Sequence, residues 1–249
     1  MKMAAALNPV LAAFSFLTRL PVPSMPLRAE DLGRSVAFYP LVGVALGLAA
    51  GGLTAALATG TSPLLAAVFG AGLLAALTGG LHLDGLADLF DGLGGGRGDR
   101  ARILEIMRDG RIGAHGATAL ILVLVAKVAA MAELALRGKL AALVLFPCLA
   151  RWAVTPLVAF LPYARPAGLG KAFVGHAGPR EVGIATATAA LAVVASGGAL
   201  ALPALAGVLV AAGVGIWLAR KLGGLTGDVY GAAIELAEVA IVTVASMMR

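Results

Sequence analysis

The chain has 249 residues, 60% of them hydrophobic and only 13% charged, with a mean hydropathy of +0.97. A soluble domain carries about a quarter charged residues, so an ordinary water-soluble enzyme is excluded and an all-α, polytopic membrane helix bundle is expected. The net charge of +6 reads as basic cytoplasmic loops, with no nucleic-acid partner implied; the single cysteine, Cys148, excludes an internal disulfide and a cysteine-based zinc site.

The first twenty residues place Leu7, Val10, Leu11, Phe14 and Leu17 on one helical face, with Asn8, Ser15 and Arg19 away from it. This predicts an amphipathic helix on the membrane surface or against the bundle, retained rather than cleaved because Asn8 and Pro9 interrupt the apolar run. Apolar runs of roughly 20 residues then follow near 35–58, 62–82, 115–136, 139–160, 181–197, 200–221 and 228–247, about seven transmembrane helices. The 34 glycines and many alanines suit helices that pack backbone to backbone against each other and the lipid bilayer. Residues 1–249 read as one integral-membrane domain. The sequence leaves the oligomeric state open, a homo-oligomer being compatible with it.

Alternation of these spans sorts the basic residues. One side receives Lys2, Arg19, Arg28, Arg34, Arg97, Arg100, Arg102, Arg108, Arg111, Arg165, Lys171, Arg180, Arg220 and Lys221; the other receives Arg137, Lys139 and Arg249. The positive-inside rule assigns the rich side to the cytoplasm. That side also carries the polar connections 83–114 and 161–180.

The 83–114 connection holds the most unusual feature of the chain. In "HLDGLADLFDGLGGG" (82–96), Asp84, Asp88 and Asp91 are spaced i, i+4, i+7 and fall within about a 60° arc of a helix. Three like charges on one face repel, and a divalent cation removes that repulsion. Hard oxygen ligands without a nearby cysteine favour Mg²⁺ or Mn²⁺, and Mg²⁺ commonly takes a substrate phosphate as co-ligand. Gly94 and Gly95 give a backbone that a ligand can approach closely. "ILEIMRDGRIGAHG" (103–116) adds Asp109 as a fourth candidate ligand or base, with Arg108 and Arg111 as candidate phosphate clamps. His82 lies roughly opposite Asp84 on the helix and is a candidate substrate contact.

A second polar set lies in the last span. Asp228, beside Gly224 and Gly227, is a candidate metal or substrate ligand at the cytoplasmic entrance. Glu235 and Glu238 lie deeper, where ion pairs with Lys127 or Arg151 compete with a functional role. In the 161–180 loop, Lys171, Arg165 and His176 accompany Gly168 and Gly170. The set could embrace a phosphate or the corrinoid periphery; Lys171 is the candidate substrate contact, and a basic interfacial loop is the favoured reading of Arg165 and His176.

"TGGLHLDGLADLFDGLGGG" (78–96) followed by "RILEIMRDGRIGAHG" (102–116) closely resembles the cobalamin (5′-phosphate) synthase family, the adenosylcobinamide-GDP ribazoletransferases. "FLTRLPVP" (16–23), "FYPLVGVALG" (38–47), "GLGKAF" (168–173) and "KLGGLTGDVYGAAIELAE" (221–238) extend the resemblance over nearly the whole chain. It implies a multi-pass enzyme of the bacterial inner membrane with a cytoplasmic active site. The implied reaction joins adenosylcobinamide-GDP to α-ribazole or its 5′-phosphate, releases GMP and requires Mg²⁺. In that setting Asp84, Asp88, Asp91 and Asp228 are the expected metal ligands. "DLFDG" (88–92) also resembles the opening of the CDP-alcohol phosphotransferase motif, but "LGGG" stands where its alanine–arginine pair belongs. A transporter with an ion path through Asp228, Glu235, Glu238, Lys127 and Arg151 is the rival from another class; no internal repeat supports it.

Overall fold

The computed structural model describes residues 2–23, 28–166 and 169–248. Gly168 and Arg249, both weighed above, lie outside the described residues. In chain order the helices are α1 (Lys2–Leu17), α2 (Ala29–Ser35), a 3₁₀ turn (Val36–Phe38), α3 (Tyr39–Leu57), α4 (Pro63–Thr78), α5 (Leu81–Gly95), α6 (Arg100–Ile106), α7 (Ala114–Leu136), α8 (Leu140–Phe160), α9 (Leu169–Val174), α10 (Pro179–Ala195), α11 (Ala201–Leu222) and α12 (Gly227–Met247). The described residues contain no strand beyond one bridge between Tyr163 and Leu225.

Five segments are long and apolar enough to cross a membrane: Ala29–Leu57, Ala114–Leu136, Leu140–Phe160, Ala201–Leu222 and Gly227–Met247. α4 and α5 count as a sixth only as a pair broken by an 89° bend. The two remaining expected spans are short. α4 has 16 residues and α10 has 17, about 24–26 Å of helix at 1.5 Å per residue against a hydrocarbon core of about 30 Å. α4 packs against α3 and α7, and α10 against α8. At one end, the turn between α7 and α8 reaches the last turn of α12: Lys139 donates to the carbonyls of Ala245 (3.0 Å) and Met248 (2.5 Å). At the other end lie the starts of α7 and α12 and the close of α8.

The bend after α4 differs from the expected span at 62–82 and has a local cause. Gly79 and Gly80 adopt left-handed conformations, with φ of 62° and 70°, which glycine enters without a Cβ penalty. Arg19 packs over Gly79, and its N–H donates to the Leu77 carbonyl at 2.7 Å. α5 therefore leaves α4 and runs antiparallel to α12, placing His82 against Gly231 and Gly85 against the Asp228 backbone. Asp88 and Asp91 then lie past the first turn of α12, at the mouth of the bundle.

α3 and α8 are held by a stripe of glycines. A Cβ on Gly43, Gly47 or Gly51 would fall 2.4, 1.8 or 2.1 Å from a carbonyl oxygen of Pro147, Val144 or Leu143, so these backbones touch directly. α1 packs beside this pair through Pro9, Ala12, Ala13 and Leu17. Its buried stripe is offset from the expected face, since Leu7 is 52% exposed.

Four charges join α7, α8 and α12 inside the bundle. Lys127 Nζ donates to Glu235 Oε2 and Glu238 Oε2, each at 2.5 Å, and Arg151 Nη1 donates to Glu238 Oε1 at 2.9 Å and to the Pro147 carbonyl at 3.1 Å. All four side chains are buried. Two cations face two carboxylates, so four of the five charges offered above as an ion path are spent on one another. Removing one partner strands the rest: Lys127→Met is expected to cost about 3–5 kcal/mol. The double variant Lys127→Met/Glu235→Gln should recover part of that loss, as read by denaturation of the detergent-solubilised protein.

Candidate active site

The mouth is assembled from four parts of the chain. The bridge between Tyr163 and Leu225 carries two backbone bonds of 2.8 Å, Ala164 N–H to the Leu225 carbonyl and Leu225 N–H to the Pro162 carbonyl. It ties the segment after α8 to the turn before α12. Arg165 is thereby brought to Asp228, with Nη2 donating to Oδ2 at 2.9 Å. Thr226 caps α12 and its hydroxyl also reaches Asp228 Oδ2, at 3.2 Å.

α5 delivers the aspartates, which differ in their surroundings. Asp84 is exposed, Asp88 is half-buried and Asp91 is buried. Asp84, Asp88 and Asp228 lie within electrostatic reach of one another, three carboxylates against the one guanidinium of Arg165. This is the signature of surplus negative charge at one spot. Asp91 is committed elsewhere. Its Oδ2 accepts the Gly113 N–H at 2.6 Å and its Oδ1 accepts the Gly116 N–H at 2.8 Å. These donors belong to the N-cap and first turn of α7, so Asp91 satisfies orphan N–H groups and meets the positive end of the helix dipole. Asp91 thus ties α5 to α7.

Among the described residues, no three His, Cys, Asp or Glu side chains converge as a ready-made metal cage. Mg²⁺ does not need one, because it commonly takes one or two carboxylates and completes its shell with water and substrate phosphate. Asp84 and Asp88, free of other partners among the described residues, fit that donor set, with Asp228 beside them.

The other candidates have varied surroundings. Asp109 and Arg111 pair with each other in a two-pronged contact of 2.5–3.1 Å at the surface, and the guanidinium holds the Asp109 carboxyl below its ordinary value. Arg108 is exposed. Lys171 is exposed and donates to the Pro166 carbonyl at 2.8 Å. Gly94 and Gly95 are exposed; a Cβ on Gly94 would fall 2.2 Å from the ring of His115 and one on Gly95 2.9 Å from Ile106 Cδ1. His82 is buried, with Arg151 Nη2 3.4 Å from Nδ1.

Beside the aspartates lies a cavity of about 280 Å³, lined by Tyr163, Arg165 and Asp228 together with His82, Tyr230 and Phe173. Sequence reasoning left Arg165 as an interfacial charge and passed over Tyr163 and Tyr230. The one signal available was the unpaired aspartate at the start of α12, which required a cation.

A membrane-spanning bundle with carboxylates and an arginine around a cavity at one mouth defines a polytopic membrane enzyme. The match to known proteins is specific: the model of the family described as Cobalamin-5-phosphate synthase covers residues 9–246, and the chain belongs to that family. Relatives called adenosylcobinamide-GDP ribazoletransferase are 45% identical in Klebsiella pneumoniae subsp. pneumoniae (91% of this chain, 94% of the relative), 44% in Pseudomonas paraeruginosa (95% and 96%) and 43% in Escherichia coli O17:K52:H18 (91% and 94%). No solved structure matches the chain.

The clamp at Asp91 has a direct test. Asp91→Asn turns an amide N–H₂ toward one of two backbone donors, which is expected to cost about 1–3 kcal/mol of stability. Gly116→Ala places a Cβ 2.4 Å from Asp91 Oδ2 and 2.7 Å from the Ala87 carbonyl, and should lower the thermal midpoint in the same assay.

Proposed function

We propose that the chain joins adenosylcobinamide-GDP to α-ribazole or its 5′-phosphate in a Mg²⁺-dependent transfer that releases GMP. We place the reaction at the cytoplasmic face of the bacterial inner membrane. The observation that carries this reading is the surplus of carboxylate charge at Asp84, Asp88 and Asp228 beside the Arg165 guanidinium, an arrangement suited to a metal-bridged pyrophosphate. The relatives supply the substrate names. The orientation rests on the basic residues: Arg19, Arg100, Arg108, Arg111, Arg165, Arg220 and Lys221 belong to segments at the mouth, against Arg137 and Lys139 at the far end.

Asp84 and Asp88 would hold Mg²⁺, whose chemistry there would be to neutralise phosphoryl charge, including that of the leaving GMP. Asp228 lines the cavity and is oriented by Arg165 and Thr226. It positions the attacking ribose hydroxyl and accepts its proton as the new P–O bond forms and the bond to GMP breaks. Arg165 offers its remaining N–H donors to the transferred phosphoryl group. Asp91 holds α7 against α5 and so fixes the direction in which Asp84 and Asp88 point.

GMP release from adenosylcobinamide-GDP and α-ribazole, assayed with the protein in lipid nanodiscs, tests this. Asp84→Asn and Asp88→Asn should each lower the rate by roughly 10² or more while the chain keeps its thermal midpoint. Near-normal release in both variants would remove the metal assignment.

A further inference from the structure

The 280 Å³ cavity is not accounted for by the phosphate chemistry, since most of its wall is apolar. From Asp228 at its mouth it extends along α12 to Ile234, six residues or about 9 Å deeper. We infer that this cavity seats the heteroaromatic base of the acceptor nucleoside, with the ribose turned toward Asp228 and Arg165. The inference rests on the reaction proposed above.

Size removes one alternative occupant. At ~30 Å³ per water the cavity has the bulk of about nine liquid waters, which suits a bicyclic base with part of its sugar and is far too small for a corrin macrocycle. Chemistry separates the remaining two. One wall is aromatic: Phe16 and Phe173 stack with centroids 4.6 Å apart, and Tyr39 meets Phe173 at 6.4 Å. Leu17, Val154, Val158 and Ile234 complete the apolar lining. A guanine ring would bring several donors and acceptors to a surface with few partners for them. A dimethylated benzimidazole brings two methyl groups and a single free ring nitrogen that accepts one hydrogen bond.

The cavity supplies donors for that nitrogen. His82 is 3% exposed, and its Nε2 has no partner among the described residues; the buried hydroxyl of Tyr230 also has none. Both residues line the cavity. Arg151 has only donors to offer and faces His82 Nδ1, so Nδ1 accepts and Nε2 carries the proton. An acyl chain in this place would leave both polar atoms unsatisfied, which disfavours a lipid occupant.

Steady-state kinetics and equilibrium dialysis of α-ribazole, both on the full chain in nanodiscs, test the assignment. Val158→Trp and Ile234→Phe fill the cavity from different walls. Each should raise KM for α-ribazole at least tenfold and weaken its direct binding to the same extent, with KM for adenosylcobinamide-GDP unchanged. A rise in KM for adenosylcobinamide-GDP alone, or no change in either, would overturn the assignment. The wild-type chain gives a test that needs no variant. An α-linked adenine riboside, whose exocyclic amine and extra ring nitrogens would go unpaired, should be used at least tenfold less efficiently than α-ribazole. Equal use would overturn the assignment. No turnover by the wild-type chain with both substrates would instead defeat the proposed reaction, whereas turnover without these effects defeats only the cavity assignment.

Discussion

The fold is organised around four charges that have no access to water. Lys127, Arg151, Glu235 and Glu238 come from three helices, and desolvating each costs several kcal/mol unless its partners are in place. Lipid offers no substitute partner, so α7, α8 and α12 are held in the one rotation and depth at which the pairs close. His82 extends this constraint to α5 through its contact with Arg151. The helix that carries the aspartates is thus indexed against the interior of the bundle as well as packed on its surface.

That indexing explains how a broken helix supports a site. α5 departs from α4 by 89°, a geometry with exposed backbone ends unless other groups meet them. Asp91 meets the start of α7, and Gly85 lets the α12 backbone come close. With one end fixed by His82 and the other by Asp91, the segment between them presents Asp84 and Asp88 toward Asp228. The three aspartates share a helical face but differ in their contacts: Asp84 and Asp88 have no partner among the described residues, and buried Asp91 holds α5 to α7.

Much of this was legible in the sequence. The i, i+4, i+7 spacing placed the aspartates on one face, hydropathy marked the five helices long enough to cross a membrane, and the ion pairs of Glu235 and Glu238 were one of the two readings that the cost of burying charge left open. What escaped depends on contacts distant in sequence. The donors to Asp91 lie 22 and 25 residues away, and Arg165 lies 63 residues from Asp228, so local spacing could not separate clamp from ligand or pick one arginine among many. The bend at Gly79–Gly80 escaped because hydropathy continues across it. Asp109 and Arg111 looked like site residues for the same reason that they pair with each other: they are opposite charges two residues apart.

The central claim is that Asp84 and Asp88, and not Asp91, form the metal-binding part of the motif. Titration of Mn²⁺ into the nanodisc-embedded protein, followed by electron paramagnetic resonance and normalised to folded chain, tests it most directly. Asp84→Asn and Asp88→Asn should each weaken Mn²⁺ binding roughly tenfold or more, while Asp91→Asn keeps the wild-type affinity in whatever fraction remains folded. Loss of binding in Asp91→Asn alone, with the other two variants unaffected, would contradict the account.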